Sequence, residues 1–503
     1  MIFEKRPSGV VKQRCTIVYG KSQLKLSCKI ARSIFILSLA FAIDVSCFAA
    51  IDHAQGEIAG ESTQSSIILQ SRLTLAGELI EGDVAGVAGL ACFELSVSRD
   101  FQNSFKTNWI KAVPENDFII KQKVINLLSG TRYYYRLLYG PNINKVKTGN
   151  TCTFKTLDSP DTKRKIIFVV VTGMNYHKFH HGTDAYKGQD KSLGYPAMET
   201  ILEMQPDFFV STGDSVYYDH PRKNAAQTRR QLRKKWHEQF VQPRYIEFFA
   251  QVPTYWEKDD HDYRYNDCDN TSDKNPDPQL GKETFLEQVP VVDIIEPKPI
   301  TYRTHQVNEL LQIWLVEGRD YRSPNIMPDG PDKSIWGKEQ TKWLKKTLIE
   351  SKATFKILIS PTPMIGPDDA YKQDNHTNPK GFKYEGEQFF LWLGKNGFLK
   401  KNFYIVCGDR HWQYHSIHPS GFEEFSCGAL IDANARIGRK PGDSESTDPQ
   451  SLIRQLYTQE DPSGGFLAVT VEPGNKIQKP NIRFAFFDEI GTLIYQCEKT
   501  INQ

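Results

Sequence analysis

The hydrophobic pattern of the first part of the chain predicts short strands. Between residues 56 and 156, brief apolar segments alternate with polar positions and are separated by Gly, Asn and Asp. The predicted strands cover residues 66–75, 91–97, 117–124, 133–138 and 151–156. Regularly spaced short strands are typical of an antiparallel sandwich of about a hundred residues. Residues 56–156 are therefore predicted to form an N-terminal β-sandwich domain.

A different pattern follows a polar linker at residues 158–165, because apolar strands now alternate with amphipathic helices. The predicted strands cover residues 166–171, 208–212, 313–317, 355–360 and 403–407, and the predicted helices 196–204, 225–240 and 338–351. Strand patterns return at residues 464–500 and are expected to close an edge of the same sheet. Alternation of this kind predicts an α/β domain with a parallel or mixed sheet over residues 165–501.

The first fifty residues have the composition of a secretory signal peptide. Eight basic residues stand against two acidic ones, an apolar stretch runs from Ile34 to Ile43, and Ala49 and Ala50 supply small residues for cleavage. The apolar stretch is too short to span a bilayer, and Asp44 interrupts it. We expect residues 1–50 to be removed and the mature protein to be secreted or periplasmic, without a transmembrane helix. A buried helix of the mature chain is the alternative.

Removal of the leader changes the charge of the chain. The 503-residue sequence has a formal net charge of +3. The leader alone contributes +6, so the mature chain has a net charge near −3. No cluster of Lys and Arg is interleaved with aromatic residues, so the sequence indicates no nucleic-acid surface. Six of the nine cysteines follow the leader, and an oxidising compartment would permit them to pair.

Three polar clusters follow predicted strands. Gly213 and Asp214 end an apolar run, with Tyr217 three positions beyond Asp214. The second cluster is Asp259, Asp260, His261 and Asp262, which Trp256 precedes and Asn266 follows. The third is Asp409, Arg410 and His411, directly after the strand at residues 403–407. Ligand sites of α/β sheets lie beyond the carboxyl ends of such strands.

Neighbouring carboxylates repel each other and resist desolvation unless a cation compensates them. Three such corners on one sheet predict a two-metal site suited to in-line displacement at phosphorus. The alternatives are an ordinary turn at Gly213–Asp214 and a solvated acidic loop at residues 259–262.

The order of these motifs resembles the PhoD-like alkaline phosphatases, a branch of the calcineurin-like metallophosphoesterases. The resemblance rests on Gly-Asp-x-x-Tyr at 213–217, Asp-Asp-His-Asp at 259–262 with Asn266, and Gly-Asp-Arg-His at 408–411. The stretches at 317–322 and 336–344 are also similar to family motifs. The resemblance implies a fibronectin/Ig-like N-terminal β-sandwich followed by an α/β metallophosphoesterase sandwich, with mixed sheets flanked by helices.

The same resemblance implies the residues that bind two or more metal ions. They are Asp214, Tyr217, Asp259 or Asp260, Asn266, Asp409 and His411. Asp214 would bridge two metals, and Tyr217 would be a phenolate ligand of the harder one. The sequence leaves the choice between Asp259 and Asp260 open. The loop at residues 374–382 is similar to the family's loop over the site, and a plain surface loop is the alternative.

The resemblance also implies catalytic roles. His261 would protonate the leaving group or stabilise the phosphoryl oxygens. Arg410 would contact the substrate phosphate, and Arg319 would do so too unless it forms a structural salt bridge.

One position departs from the family pattern, because Gly173 stands where the family has a cysteine ligand of iron. Asn175, Tyr176, His177, His180 or His181 are candidates to replace it. The family's ions are Ca²⁺ and Fe³⁺, but without the thiolate the remaining oxygen and imidazole ligands also suit Mn²⁺ or Zn²⁺.

The sequence thus predicts an exported, metal-dependent phosphoesterase that hydrolyses phosphate monoesters, diesters or both through attack of a metal-bound hydroxide at phosphorus. The alternative is a non-catalytic or metal-altered binding protein that retains the phosphoesterase fold.

Overall fold

A computed structural model of the chain describes residues 51–75, 79–293 and 296–501. The predicted signal peptide at residues 1–50 lies outside these ranges. Within them, no helix is both long enough and apolar enough to cross a bilayer.

The described part of residues 51–165 contains nine strands. They are β1 (Glu57–Gly60), β2 (Ser66–Arg72), β3 (Gly89–Ser96), β4 (Phe105–Lys106), β5 (Ile110–Ala112), β6 (Ile119–Ile125), β7 (Arg132–Asn142), β8 (Lys145–Thr148) and β9 (Cys152–Lys155). All five strands predicted for this region are present, and their bounds differ from the predicted ones by a few residues.

Strands and helices alternate in the remainder of the described chain. The helices are α1 (Tyr176–His181), α2 (Pro196–Glu203), α3 (Arg229–Phe240), α4 (Pro243–Phe249), α5 (Pro278–Gln288), α6 (Gly337–Glu350) and α7 (Lys383–Lys395). The strands are β10 (Ile166–Val171), β11 (Phe208–Thr212), β12 (Thr254–Glu257), β13 (Arg303–Gln306), β14 (Leu311–Leu315), β15 (Phe355–Ser360), β16 (Phe403–Cys407), β17 (Gln413–Ile417), β18 (Glu423–Cys427), β19 (Arg454–Thr458), β20 (Gly465–Glu472), β21 (Asn481–Asp488) and β22 (Leu493–Thr500).

Two mixed sheets carry the α/β region. The first has nine strands in the order β22-β21-β20-β10-β11-β12-β1-β2-β6, and its central strands β10, β11, β12 and β1 are parallel. The second has seven strands in the order β13-β14-β15-β16-β18-β17-β19, with β14, β15, β16 and β18 parallel. The last three strands close one edge of the nine-stranded sheet, as the sequence predicts.

The two sheets pack face to face with helices outside them. Phe168 and Val210 of the first sheet and Ile357 and Val406 of the second belong to one buried apolar cluster. The opposite faces are covered by α2, α3 and α4 on the first sheet and by α6 and α7 on the second. Because both faces of the central strands are buried, these strands are continuous apolar runs, and β11, β15 and β16 have their predicted bounds.

The N-terminal region is joined to this architecture through a shared sheet. Its strands β1, β2 and β6 extend the nine-stranded sheet beyond β12, and Gly60 pairs with Thr254. The other six strands form a separate antiparallel sheet. A third apolar core, which includes Leu69 and Phe93, lies between the two. The N-terminal β-sandwich therefore exists, and it shares one layer with the α/β region. The division into separate domains at residues 158–165 stays a prediction.

One topological expectation is wrong. The three polar corners do not lie on one sheet, since Asp214 and Asp259 follow β11 and β12 of the nine-stranded sheet, whereas Asp409 follows β16 of the seven-stranded sheet. The pattern within a strand does not specify its partner strand. The two sheets nevertheless meet at the site, because a Cβ on Gly408 would lie 2.1 Å from Thr212 Oγ1.

The six cysteines of the described chain are all free, and five of them are buried. The pairing that an oxidising compartment would permit is not present in the structure.

Candidate metal centre

Asp214 is placed by a sharp turn at the end of β11. Gly213 has a φ of 91°, and a Cβ at this position would lie 2.4 Å from the Cβ of Asp259. Only glycine permits this close approach of the ends of β11 and β12. Asp214 follows with a φ of 55°, and its side chain is buried at the junction of the sheets. Gly213 and Asp214 therefore do form a turn, as the alternative for this segment holds. The same turn places the Asp214 carboxylate at the site.

Asp214, Tyr217 and His411 place three donor atoms next to one another. The Tyr217 hydroxyl donates to Asp214 Oδ2 at 2.8 Å and lies 3.1 Å from His411 Nε2, which is itself 3.3 Å from Asp214 Oδ2. The sequence predicts all three as metal ligands, and the structure brings them together from two different sheets.

Asp260 lies at the centre of the remaining ligand groups. One of its oxygens lies within 4.8 Å of ligand atoms of Asp214 and His261, and a similar group contains Asp259, Asp260 and Asp409. Both Asp259 and Asp260 are thus within reach of a metal ion, so the choice between them stays open. Asp262 has a different role, because its carboxylate accepts the backbone N–H groups of Ser215 and Asp259 at 3.0 and 2.7 Å.

His261 lies against the proposed ligands and is held by a residue that sequence reasoning did not select. Its Nδ1 is 2.7 Å from Asp219 Oδ1, and its ring centroid is 4.2 Å from that of Tyr217. Burial opposes the positive charge of His261, but Asp260, Asp219 and Asp214 outweigh it and raise its pKa well above the usual value.

Arg410 lies in a buried ion cluster beside Asp409. Its guanidinium group bonds Asp368 through Nη1 and Asp409 through Nη2, and no part of it is exposed. Lys372 contributes a further cation, with its Nζ 2.6 Å from Asp267 Oδ1 and 3.9 Å from Asp409 Oδ1. The phosphate contact of Arg410 stays a prediction.

Arg319 forms the structural salt bridge that the sequence leaves open as an alternative. Its Nε donates to Asp259 Oδ1 at 2.6 Å, its Nη2 to Asp374 Oδ2 at 3.3 Å and its Nη1 to the carbonyl of Cys268 at 2.7 Å. All of these groups are buried. The geometry favours orientation of Asp259 over a contact with substrate.

Asn266 is not gathered with the other predicted ligands. Its side chain is exposed, and its backbone N–H donates to Asp219 Oδ2 at 3.1 Å. Asn266 therefore supports the residue that holds His261, and its role as a metal ligand stays a prediction.

The residues suggested as substitutes for the missing cysteine have other partners. Asn175 caps α1 by accepting the N–H of Lys178, and its amide contacts His220. His180 lies 3.1 Å from Gln242 Oε1. The tilted rings of Tyr176 and His180 contact each other with centroids 4.1 Å apart, and those of His177 and His181 lie 5.8 Å apart on α1. The acidic and histidine groups detected among the described residues include none of these histidines.

Gly173 has a backbone that excludes a simple exchange for cysteine. Its φ is 70°, and a Cβ built on it would lie 2.9 Å from Ala429 Cα and 3.3 Å from Asn434 Nδ2. An L-residue here would be strained in its backbone and crowded by the loop after β18. The local packing therefore favours glycine at position 173.

The electrostatics of the site fit a cation. Burial raises the pKa of Asp214 well above its usual range, and repulsion by Asp260 and Asp259 raises it further. The positive charge of His261 acts in the opposite direction and does not outweigh them. Burial also lowers the pKa of His411 well below the usual value, so its imidazole is neutral, as ligation requires.

Unpartnered carboxylate oxygens give an independent indication of metal binding. Asp214 Oδ1, Asp259 Oδ2 and Asp374 Oδ1 are buried and have no hydrogen-bond partner among the described residues. Buried acceptors without partners are rare in proteins and call for a compensating group. Carboxylate, phenol and imidazole donors suit Ca²⁺, Mn²⁺, Zn²⁺ or Fe³⁺, so the residues present fit a metal centre.

Sequence reasoning missed several residues of the site. They are Asp219, Asp267, Asp368, Lys372 and Asn434. Asp219 lies five residues after Asp214, and this short spacing was a signal available in the sequence. The others lie on loops without a strand pattern, and only the tertiary structure brings them to the site. Asp374, from the predicted loop over the site, is buried there and forms a group with Asp260 and Asp267.

Comparisons with known proteins agree with this geometry. The family model described as PhoD-like phosphatase matches residues 168–474. A solved structure of PhoD superposes with a TM-score of 0.69 at 17% identity, covering 90% of each chain. The purple acid phosphatase PPD1 from yellow lupin (Lupinus luteus) seeds superposes with a TM-score of 0.56 at 13% identity, covering 90% of this chain and 74% of the other. A search of the curated proteins found no match.

The fold is the one that the solved structures of PhoD and of this purple acid phosphatase share. Because the family model spans more than half of the sequence, the chain belongs to the PhoD-like phosphatase family.

Proposed function

We propose that this PhoD-like phosphatase is an exported, metal-dependent hydrolase of phosphate monoesters, diesters or both. The observation that carries the proposal is the convergence of Asp214, Asp260 and His261 within 4.8 Å, with buried carboxylate oxygens that lack protein partners. Export is supported by the composition of residues 1–50, which lie outside the described residues.

The metal ligands in this proposal are those that the two sheets bring together. Asp214, Tyr217 and His411 would hold one ion, and Asp260 with Asp259 and Asp409 would hold another. When bound, the metal ions would neutralise the charge that develops on the phosphate and activate the attacking water.

His261 would act on the leaving group. Asp219 accepts the Nδ1 proton, so Nε2 is the nitrogen that remains to donate a proton to the departing alcohol oxygen. Asp219, which is not among the proposed metal ligands, is one of the carboxylates that raise the pKa of His261, and this supports a role as general acid.

Arg319 would fix the position of the Asp259 carboxylate, which faces the metal ions in this proposal. It is buried between Asp259 and Asp374, and a rigid guanidinium group restricts both of them. Preorganised charges of this kind avoid reorganisation during the reaction.

The test is metal analysis of the purified protein together with hydrolysis of p-nitrophenyl phosphate and bis-p-nitrophenyl phosphate. We expect about two metal ions per chain. Asp214→Asn should lower metal content and reduce kcat/KM by about a hundredfold or more, because the carboxylate closest to Tyr217 and His411 loses its charge.

Asp461→Asn is the matched control, since Asp461 is exposed and remote in sequence from the site residues. Unchanged turnover in Asp214→Asn would contradict the proposal. So would a wild-type protein that shows no turnover with iron, calcium, manganese or zinc. Metal binding without turnover would favour the binding-protein alternative.

A further inference from the structure

Asn434 contacts both the tyrosine of the proposed metal site and the loop at Gly173. It ends a single helical turn at residues 432–434, and its side chain is 2% exposed. Its Nδ2 donates to the Tyr217 hydroxyl oxygen at 2.8 Å and to the carbonyl of Gly173 at 3.0 Å. No sequence motif indicated this residue, which lies 217 positions from Tyr217 in the chain.

The amide of Asn434 lies beside the position that a side chain at residue 173 would occupy, although Ala429 is closer to it. A Cβ built on Gly173 would lie 3.3 Å from Asn434 Nδ2, and the two residues are already joined by a hydrogen bond. The replacement of the cysteine and the presence of a buried amide are therefore features of the same small volume.

The orientation of this amide follows from its neighbours. If its nitrogen and oxygen were exchanged, an amide oxygen would face the Gly173 carbonyl at hydrogen-bond distance, and two acceptors would repel. The nitrogen therefore faces Gly173 and Tyr217, and Oδ1 takes no part in either of these hydrogen bonds. That oxygen is buried and has no hydrogen-bond partner among the described residues.

A buried amide oxygen without a partner costs free energy unless another group compensates it. The Tyr217 oxygen, to which the same amide is bonded, also contacts Asp214 and His411. Amide oxygens are good ligands for hard cations.

We propose that Asn434 belongs to the metal site: its Nδ2 holds the Tyr217 oxygen toward Asp214 and His411, and its Oδ1 is a neutral oxygen ligand of the ion that Tyr217 binds. The inference rests on the proposed metal-dependent function. It assigns a ligand that replaces a negatively charged sulfur with a neutral oxygen, and this exchange favours harder ions and lowers the negative charge of the site.

The test compares Asn434→Ala and Asn434→Asp with the wild-type protein and with Asn150→Ala, an exposed control in the N-terminal region. The metal-stripped proteins are titrated with Mn²⁺ in a calorimeter, and each is loaded with Fe³⁺ to record the phenolate-to-iron charge-transfer band. Thermal unfolding of each metal-free variant shows whether the fold is retained.

Asn434→Ala should weaken the tighter Mn²⁺ site by about 10- to 100-fold and shift the charge-transfer band, because it removes a ligand and the hydrogen bond to the phenol oxygen. Asn434→Asp should recover part of the affinity that Asn434→Ala loses, since its carboxylate keeps an oxygen in the position of Oδ1, although its second oxygen cannot donate to Tyr217 or to the Gly173 carbonyl. A purely structural role predicts that Asn434→Asp binds Mn²⁺ no better than Asn434→Ala, because the buried charge then disturbs the packing as much as the truncation does.

Wild-type affinity and an unshifted band in Asn434→Ala would overturn the assignment of Asn434 while leaving the proposed hydrolase intact, as would an Asn434→Asp variant that binds no better than Asn434→Ala. A wild-type protein that binds neither ion would overturn both proposals.

Discussion

The orientation of His261 depends on a single carboxylate. Asp219 Oδ1 accepts from the imidazole at 2.7 Å, and Asp219 Oδ2 is held by the backbone N–H of Asn266 at 3.1 Å. Burial opposes the ionised form of Asp219, but His261 outweighs it and lowers the pKa of the carboxyl. Asp219 is thus a charged positioning residue for the proposed general acid.

We expect Asp219→Ala to lower kcat by about 10- to 100-fold with little change in metal content, because it removes the orientation of His261 and leaves the proposed ligands in place. Asp219→Asn should lose less, since an amide oxygen can still accept from Nδ1. Steady-state kinetics with metal analysis measure both effects, and Asp461→Asn serves as the control. Equal kcat in Asp219→Ala and wild type would rule out this role.

Individual site residues were predictable where a strand ended in a polar residue. Asp214 and Asp409 follow buried apolar strands that have their predicted bounds. Asn434 was not predictable, and neither were the partners of Arg319, because the contacting residues lie far apart in sequence and a single chain carries no record of that proximity.

At the scale of elements, the turn between β10 and α1 favours a glycine at position 173. Gly173 adopts a left-handed φ of 70° and packs against Ala429. A side chain here would need both a strained backbone and a displaced neighbouring loop. The loop also carries Asn434, whose Nδ2 donates to the carbonyl of Gly173.

We expect Gly173→Ala to destabilise the protein by about 1–3 kcal/mol, because it combines backbone strain with a 2.9 Å approach to Ala429. Gly394→Ala is the matched control: Gly394 lies within α7, and a Cβ there would meet nothing within 4 Å. Helix propensity predicts a neutral effect or a gain of about 0.5–1 kcal/mol for that variant. Urea unfolding measures both, and equal effects would contradict the explanation.

One helix begins later than predicted, while the other two predicted helices agree within one residue. The helix expected to start at residue 225 begins at Arg229, since Thr228 and Gln231 form a capping box there. A capping signal in the sequence competes with several neighbouring polar residues, so the first residue of this helix was not evident from the sequence.

At the scale of the whole molecule, the N-terminal region contacts the α/β region through the buried carboxylate of Asp117 as well as through the shared sheet. Asp117 Oδ2 lies 2.6 Å from His237 Nε2 of α3 and accepts from Gln288 of α5 at 2.7 Å. Its Oδ1 accepts from Arg72 at 3.1 Å, and Asp83 binds the other nitrogen of His237 at 2.6 Å.

Burial opposes the charge of Asp117, but His237 and Arg72 outweigh it and lower its pKa to about 2. Since this value lies below the unfolded value of 3.8, the ion contributes stability that is present above pH 4 and lost as the pH falls toward 2. We expect the difference in unfolding free energy between wild type and Asp117→Asn to shrink by about 1 kcal/mol between pH 6 and pH 3.

Urea unfolding across this pH range measures the difference, with Asp461→Asn as the control whose difference from wild type stays constant. A gap between wild type and Asp117→Asn that does not change with pH would show that the ion does not stabilise the folded state in this way.

The sequence by itself determined the strands, the order of the two regions and the corners that carry Asp214, Asp259, Asp260 and Asp409, because buried strands require apolar runs and end in polar residues. The tertiary structure decided which corners meet, since the pairing of strands and the packing of two sheets depend on contacts between distant residues. It also decided that Gly173 is a packing requirement and that Asn434 lies beside Tyr217.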